Sequence, residues 1–256
     1  MRLLRYGEAG KEKPGLLDAG GTLRDLSGHV ADIDGGTITT DGLKKLAAID
    51  PASLPAVAGT PRLGCPVGNI GKIICVGLNY SDHAAETGMQ VPAEPIIFMK
   101  ATTAINGPND TVIIPKNSKK TDWEVELGIV IGKKAQYVEE KDALDYVAGY
   151  VLVNDISERE FQIERHGQWV KGKSADTFAP IGPWLVTKDE IADPQKLKMW
   201  LDVNGKRCQD GSTTTMVYGV KHLVSYISQF MTLMPGDVIP TGTPPGVGAG
   251  MKPPMF

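Results

Sequence analysis

The stretch Asp122-Trp-Glu-Val-Glu-Leu-Gly-Ile-Val-Ile131 decides how the chain is to be read. Its β-branched content and alternation predict a strand over 123–131. Successive strand side chains point to opposite faces, so Glu124 and Glu126 share a face that Trp123, Val125 and Leu127 do not. Strand rise sets those two carboxylates roughly 7 Å apart, and buried alone they would repel. A divalent cation between them removes that conflict. A third acid, Asp155, follows the apolar run Val147-Ala-Gly-Tyr-Val-Leu-Val153, at the end of a second predicted strand over 146–154. Three oxygen donors with no thiolate or imidazole among them suit Mg2+ or Mn2+ better than Zn2+. Spacing alone leaves open the plainer alternative that Glu124 and Glu126 are the wet face of a half-exposed strand.

Outward from this strand the pattern is of short β segments with few helices. Residues 68–256 present further strand-like runs at Ile73–Val76 and Val112–Ile114, and helical spacing at Ser81–Glu86 and Val220–Phe230. Residues 1–49 read as a small α/β unit, with strand-like pieces at Leu3–Tyr6, Gly15–Leu17 and Thr22–Leu26. Gly20-Gly21 is its hairpin turn, and a helix runs through Leu43, Leu46 and Ile49. Between Asp50 and Pro66 come Pro51, Pro55, Pro61 and Pro66 among small residues, which suits a connector. The expected organisation is a small N-terminal α/β domain and linker over 1–66 and a catalytic domain over 67–256. The fold class is α+β, mainly β, rather than a doubly wound parallel sheet.

Composition narrows the function. With 256 residues, 41% hydrophobic and 22% charged, the chain can bury a sizeable core. Its net charge of −3 comes from interspersed acids and bases, without the basic block that binding a phosphate backbone requires, so nucleic acid is not an expected partner. Cys65, Cys75 and Cys208 are odd in number and widely spaced, and read as buried thiols of a reducing compartment. No apolar run is long enough to cross a bilayer and none of the first fifteen residues builds a signal-peptide core. The expected location is the cytoplasm, with no membrane partner.

Three further groups carry chemistry. His83 and Glu86 are three apart in Asn79-Tyr-Ser-Asp-His-Ala-Ala-Glu-Thr-Gly88, which Asn79 can cap and Gly88 can end. On a helix they share a face, and a carboxylate on one ring nitrogen leaves the other basic, as a general base requires. A surface i,i+3 pair is the alternative. His29, His166 and His222 have no comparable local partner. Arg159 and Gln162 can face an anion if the segment after Asp155 turns helical, and Lys173 in Lys171-Gly-Lys-Ser-Ala-Asp-Thr-Phe178 can stabilise an enolate. Each is also compatible with an ordinary solvated position. The loop Pro240-Thr-Gly-Thr-Pro-Pro-Gly-Val-Gly-Ala-Gly250 allows close backbone approach and lacks the Lys-Ser ending of a nucleotide loop, so a carboxylate is its expected guest.

Taken in order, Val76-Gly-Leu-Asn-Tyr-Ser-Asp-His83, Asp122-Trp-Glu-Val-Glu-Leu-Gly128, Asn154-Asp155, Gly172-Lys-Ser-Ala-Asp-Thr-Phe178, Gly236-Asp237 and Thr241-Gly-Thr-Pro-Pro-Gly-Val-Gly248 resemble the fumarylacetoacetate hydrolase family over residues 68–256. The resemblance implies a mixed β-sandwich roll with a small N-terminal domain, a homodimer, and Mg2+ or Mn2+ held by Glu124, Glu126 and Asp155. It makes His83 with Glu86 the water-activating dyad on a mobile lid, Lys173 the cationic partner of the substrate, and Arg159, Gln162 and Thr243 its polar contacts. The implied activity is hydrolysis of a carbon-carbon bond in a 2,4-diketo acid, an acylpyruvate or a 2,4-diketo-3-deoxy sugar acid, to pyruvate and a carboxylic acid. Alternatives are an oxaloacetate-type decarboxylase, a hydroxydienedioate isomerase or a ureidoglycolate lyase, and, outside enzymes, a keto-acid binding protein, which has no need of the dyad. Two departures stand out. Leu78 occupies the place where the acylpyruvase branch carries Arg, and family members continue through one or two strands after this loop, so the catalytic domain is expected to be truncated at its C-terminus.

Overall fold

The computed structural model describes residues 1–88 and 90–256. Among the described residues, eleven strands of three or more residues organise it: β1 (Arg2–Tyr6), β2 (Lys13–Leu17), β3 (Leu23–Asp25), β4 (Ile73–Gly77), β5 (Ile96–Lys100), β6 (Val125–Ile131), β7 (Val147–Asn154), β8 (Leu185–Thr187), β9 (Lys198–Val203), β10 (Lys206–Ser212) and β11 (Val238–Pro240). The helices are α1 (Thr40–Ala47), α2 (Ser81–Thr87), α3 (Val170–Lys173) and α4 (Val220–Ile227). One large mixed sheet runs in the order β3-β2-β1-β8-β7-β6-β11-β4-β5, with the short strand Leu63–Gly64 also paired to β1. β11 and β4 are parallel while β6 runs antiparallel to both β7 and β11. β9 and β10 form a separate hairpin. The N-terminal strands join the large sheet because β1 pairs with β8, Leu3 opposite Leu185.

Apolar cores lie on both faces of the sheet. Ile73, Cys75 and Val130 pack on one side with Leu3, Leu26, Phe178 and Ile181. Their strand neighbours Ile74, Val76, Ile129 and Ile131 pack on the other with Leu223, Val224 and Ile227 of α4. This is why β6 is buried at every position and reads as a nearly continuous apolar run. Each such side chain taken fully from water contributes about 1.5–3 kcal/mol. α4 buries Val220, Leu223, Val224 and Ile227, one stripe of its surface, against that second core.

Register places the acids. Val125 of β6 pairs with Asn154 of β7, and Asp155 N–H donates to Glu124 O at 2.9 Å, so the two strands finish side by side with Glu124 and Asp155 adjacent. β11 ends on the same side of the sheet, Pro240 opposite Gly128, and delivers the glycine-rich loop there.

Several expectations need correction. Val112–Ile114 is not a strand: Ile113 and Ile114 are 62% and 56% exposed, and Ile113 N–H bonds the Thr177 hydroxyl instead of a neighbouring strand. β-branched content without a pairing partner does not make a strand. β6 begins at Val125, so Trp123 and Glu124 lie before it. α4 stops at Ile227, short of Phe230. The expected turn at Gly20-Gly21 is present, with Asp18 Oδ1 accepting from the N–H groups of Gly20 and Thr22. No helix among the described residues is long and apolar enough to cross a membrane.

Candidate active site

Ligand atoms of Glu124, Glu126 and Asp155 lie within 4.8 Å of one another, and all three residues are buried. Three cations surround them. Lys173 Nζ, at the end of α3, donates to Glu124 Oε2 and to Asp155 Oδ2, each at 2.7 Å. Lys100, the last residue of β5, donates to Asp155 Oδ1 at 2.5 Å and to Ile156 O at 3.0 Å. Arg159 contacts Glu124 Oε1 at 2.7 Å, Asp122 Oδ2 at 2.8 Å and Gln162 Oε1 at 3.1 Å. Asp122 in turn accepts from the N–H groups of Gly248 at 2.6 Å and Ala249 at 2.9 Å, fixing the glycine-rich loop.

Four buried carboxylates therefore face three buried cations, and the surplus negative charge falls on Glu126. Burial acts to raise the Glu124 carboxyl, but Lys173 and Arg159 outweigh it and bring it down to about 2. Burial pushes Glu126 well above the usual carboxylate range, and repulsion from Asp155 and Glu124 adds to it. Its carboxylate accepts from Gly242 N–H at 2.8 Å. Gly242 has φ +94°, a conformation open to glycine, which turns that amide toward the acid. Burial opposes the charged form of Lys173, yet Asp155 and Glu124 raise it, so the side chain is an ammonium. The donor set fits a hard divalent cation: oxygen donors only, closely spaced, with one carboxylate charge left uncompensated by protein groups.

His83, 7% exposed, stands across the same cavity. Its Nδ1 lies 3.1 Å from Glu86 Oε2, and Glu86 Oε1 accepts from Gly246 N–H at 3.0 Å. With Nδ1 donating to the carboxylate, Nε2 is the basic nitrogen. The cavity, about 100 Å3, is lined on its polar side by His83, Glu124, Glu126, Arg159, Gln162 and Lys173. Leu78, Phe98, Ile163 and Trp169 line the other side. Trp169 packs so close to β4 that a Cβ at Gly77 would lie 2.3 Å from its ring.

All nine candidate residues thus converge on one cavity or its immediate shell. Arg159 and Gln162 reach it because a π-helical turn, Glu160–Glu164, follows β7, as a helical continuation would require. Thr243 lines the cavity, but its hydroxyl donates to Val125 O at 2.9 Å and accepts from Gln209 Nε2 at 2.7 Å, so its observed polar bonds are within the protein. Three residues escaped the sequence reading: Lys100, Asp122 and Gln209. Asn79, expected to cap α2, does not do so: Tyr80 holds the cap position and the Asn79 side chain bonds Tyr218 and Thr241. Lys100 had a usable signal, since it closes the apolar run Ile96-Ile-Phe-Met-Lys100 just as Asp155 closes its own.

Residues 72–256 match the model of the fumarylacetoacetate (FAA) hydrolase C-terminal domain. The chain belongs to the fumarylacetoacetate hydrolase family. A protein of Burkholderia cenocepacia (strain HI2424), ranked by its name only as a provisional hydrolase, is 63% identical over 257 residues, covering 100% of this chain and 91% of that one. The fumarylacetoacetate hydrolase of psychrophilic Exiguobacterium antarcticum superposes with a TM-score of 0.89 at 35% identity, over 100% of this chain and 91% of that one. The maleylpyruvate hydrolase of Sphingobium sp. SYK-6, solved with manganese(II) and pyruvate, gives 0.81 at 30% identity, over 97% and 90%. This family member shares their fold, and its mixed sheet is the frame on which its own carboxylates and dyad are set.

Proposed function

We propose that the chain is a Mg2+- or Mn2+-dependent hydrolase that cleaves the C3–C4 bond of a 2,4-diketo acid, giving pyruvate and a second carboxylic acid. The observation that carries this reading is a cavity lined by His83, which pairs with Glu86, and by Glu124, Glu126 and Lys173, with Asp155 bonded to Lys173 behind them. Glu124, Glu126 and Asp155 would hold a divalent cation, which would supply Lewis-acid polarisation to a bound keto acid.

The chain's own groups carry the remaining steps. His83 Nε2 takes a proton from water, Glu86 holding the ring and stabilising its charged form, and the water oxygen adds to the C4 carbonyl. Collapse of that tetrahedral centre breaks C3–C4, and the electron pair leaves on the pyruvate enolate. The Lys173 ammonium stabilises the developing oxygen charge. The proton taken by His83 then goes to C3, so pyruvate and the acid leave with atoms balanced and the dyad restored.

The lining supports a substrate with an uncharged tail, which includes a diketo sugar acid. Both cations of the cavity are committed to protein carboxylates, and the wall away from the triad is Leu78, Phe98, Ile163 and Trp169. A second carboxylate there would lose its water without gaining a partner, at a cost of several kcal/mol. A dicarboxylate of the maleylpyruvate type therefore suits this wall poorly. We place the enzyme in the cytoplasm, which its three free thiols support, and propose a homodimer as its working form.

The test is to remove metal by chelation, restore Mg2+ or Mn2+ singly, and assay pyruvate and CO2 separately over a panel of 2,4-diketo acids and oxaloacetate. Pyruvate with stoichiometric carboxylic acid, only when metal is present, supports the reading. Faster CO2 release from oxaloacetate, retained in His83→Ala, points to the decarboxylase instead.

A further inference from the structure

Both ends of the segment that carries the dyad are tied to a single residue outside it. Asn79, immediately before Tyr80 at the N-cap of α2 and 1% exposed, accepts through Oδ1 from Tyr218 N–H at 2.8 Å. Its amide donates back to Tyr218 O at 3.0 Å and to Thr241 O at 2.8 Å. Val217 N–H bonds Asn79 O at 2.8 Å, and Tyr80 bridges Met216. Past α2, where the chain returns toward β5, the Tyr218 hydroxyl donates to Pro92 O at 2.6 Å. The Tyr226 hydroxyl then donates to Glu94 Oε2 at 2.8 Å.

The anchor is itself rigid. Residues 218, 222, 226 and 230 lie four apart and so project along one face of α4 and its ends. The Tyr218 and His222 rings stack at 5.0 Å, His222 and Tyr226 at 5.8 Å, and Phe230 meets Tyr226 edge-on at 4.9 Å. His222, which has no partner nearby in sequence, is 3.3 Å from Glu140 Oε2. The opposite face of α4 is locked into the core.

We propose that Tyr218 is a positioning residue for the hydrolytic step: its backbone fixes the entry to α2 and its hydroxyl fixes the exit, so that His83 and Glu86 are held over the carboxylates. The proposal rests on the hydrolase reading for its kinetic consequence, but not for the mechanical one.

Tyr218→Phe tests it. The variant keeps the ring stacked on His222 and every backbone bond to Asn79, and deletes the hydroxyl alone. Losing one such hydrogen bond shifts a local opening equilibrium by about 2- to 12-fold. In the full-length protein, amide exchange followed by mass spectrometry should quicken by that factor across 80–88, including Ala84 N–H, which bonds Tyr80 O at 2.9 Å. Exchange in α4 at Ser228 N–H, bonded to Val224 O at 3.2 Å, should not change. Turnover number should fall by up to the same factor in the wild-type background and not at all in His83→Ala. Unchanged exchange over 80–88, exchange quickened equally through α4, or an undiminished kinetic effect in the His83→Ala background overturns the proposal. If His83→Ala itself leaves turnover intact, the hydrolase reading fails, and the exchange result still decides whether Tyr218 holds the segment.

Discussion

Replacing Glu126 by Gln should move folding stability and metal binding in opposite directions. Glu126 sits within 4.8 Å of both Glu124 and Asp155, and two like charges at that distance repel by about 3.5 kcal/mol at an effective dielectric constant of 20. Lys173 offsets part of this, and the Gly242 amide offsets a little more. Gln keeps the acceptor for Gly242 N–H, offers its own N–H groups to the neighbouring acids, and removes the charge that burial opposes. The metal-free variant should therefore be more stable than wild type, by about 1–3 kcal/mol, the part of that repulsion which Lys173 and the Gly242 amide leave unrelieved. Metal reverses the order. At a metal concentration 100 times its dissociation constant, binding stabilises the wild type by about 2.7 kcal/mol, and a variant that binds it weakly gains almost none of this. Urea unfolding of both proteins after chelation, and again with added Mn2+, reads both effects. A metal-free Glu126→Gln protein less stable than wild type by more than about 1 kcal/mol, or one that gains as much from Mn2+ as wild type does, would refute the charge-surplus account of this site.

Other outcomes follow from the same geometry. His83→Ala should lower turnover by about 100- to 10,000-fold while Mn2+ and pyruvate still bind, since in the proposed reaction the ring acts on water and is not among the three carboxylate donors; calorimetry with both ligands alongside steady-state rates checks it. Asp110 forms a two-point ion pair with Arg62, at 2.8 Å and 2.5 Å, and that bond holds its carboxyl below the usual carboxylate range. A depressed folded pKa stabilises the protein above the unfolded value of about 3.9 and is lost as pH falls through the folded one. Asp110→Asn should thus cost about 1–2 kcal/mol near pH 7, with the gap to wild type closing on acidification below pH ~4; a gap independent of pH in urea titrations would show that the pair contributes through shape alone.

What the sequence makes legible is set by how local the cause is. Glu124 and Asp155 could be picked out because each flanks an apolar run, and strand pairing then had only to join two runs whose ends carry acids. His83 and Glu86 were readable for the same reason, since one helical turn makes them neighbours whatever the rest of the chain does. Val112–Ile114 misled because β propensity is a statement about packing against a neighbouring strand, and no strand among the described residues pairs with it. Asp122 and Gln209 are opaque for the converse reason, and so is the partner that Lys100 meets at the end of its run. Asp122 meets Arg159 across 37 residues of sequence, Gln209 meets Thr243 across 34 and Lys100 meets Asp155 across 55, and none of these pairs has a spacing rule. Yet these remote pairs decide the electrostatics of the site. Without Lys100 and Arg159, Lys173 alone would face the four buried acids. With them, three of the four buried carboxylates are compensated by protein cations, and only Glu126 is left calling for a charge from outside the chain.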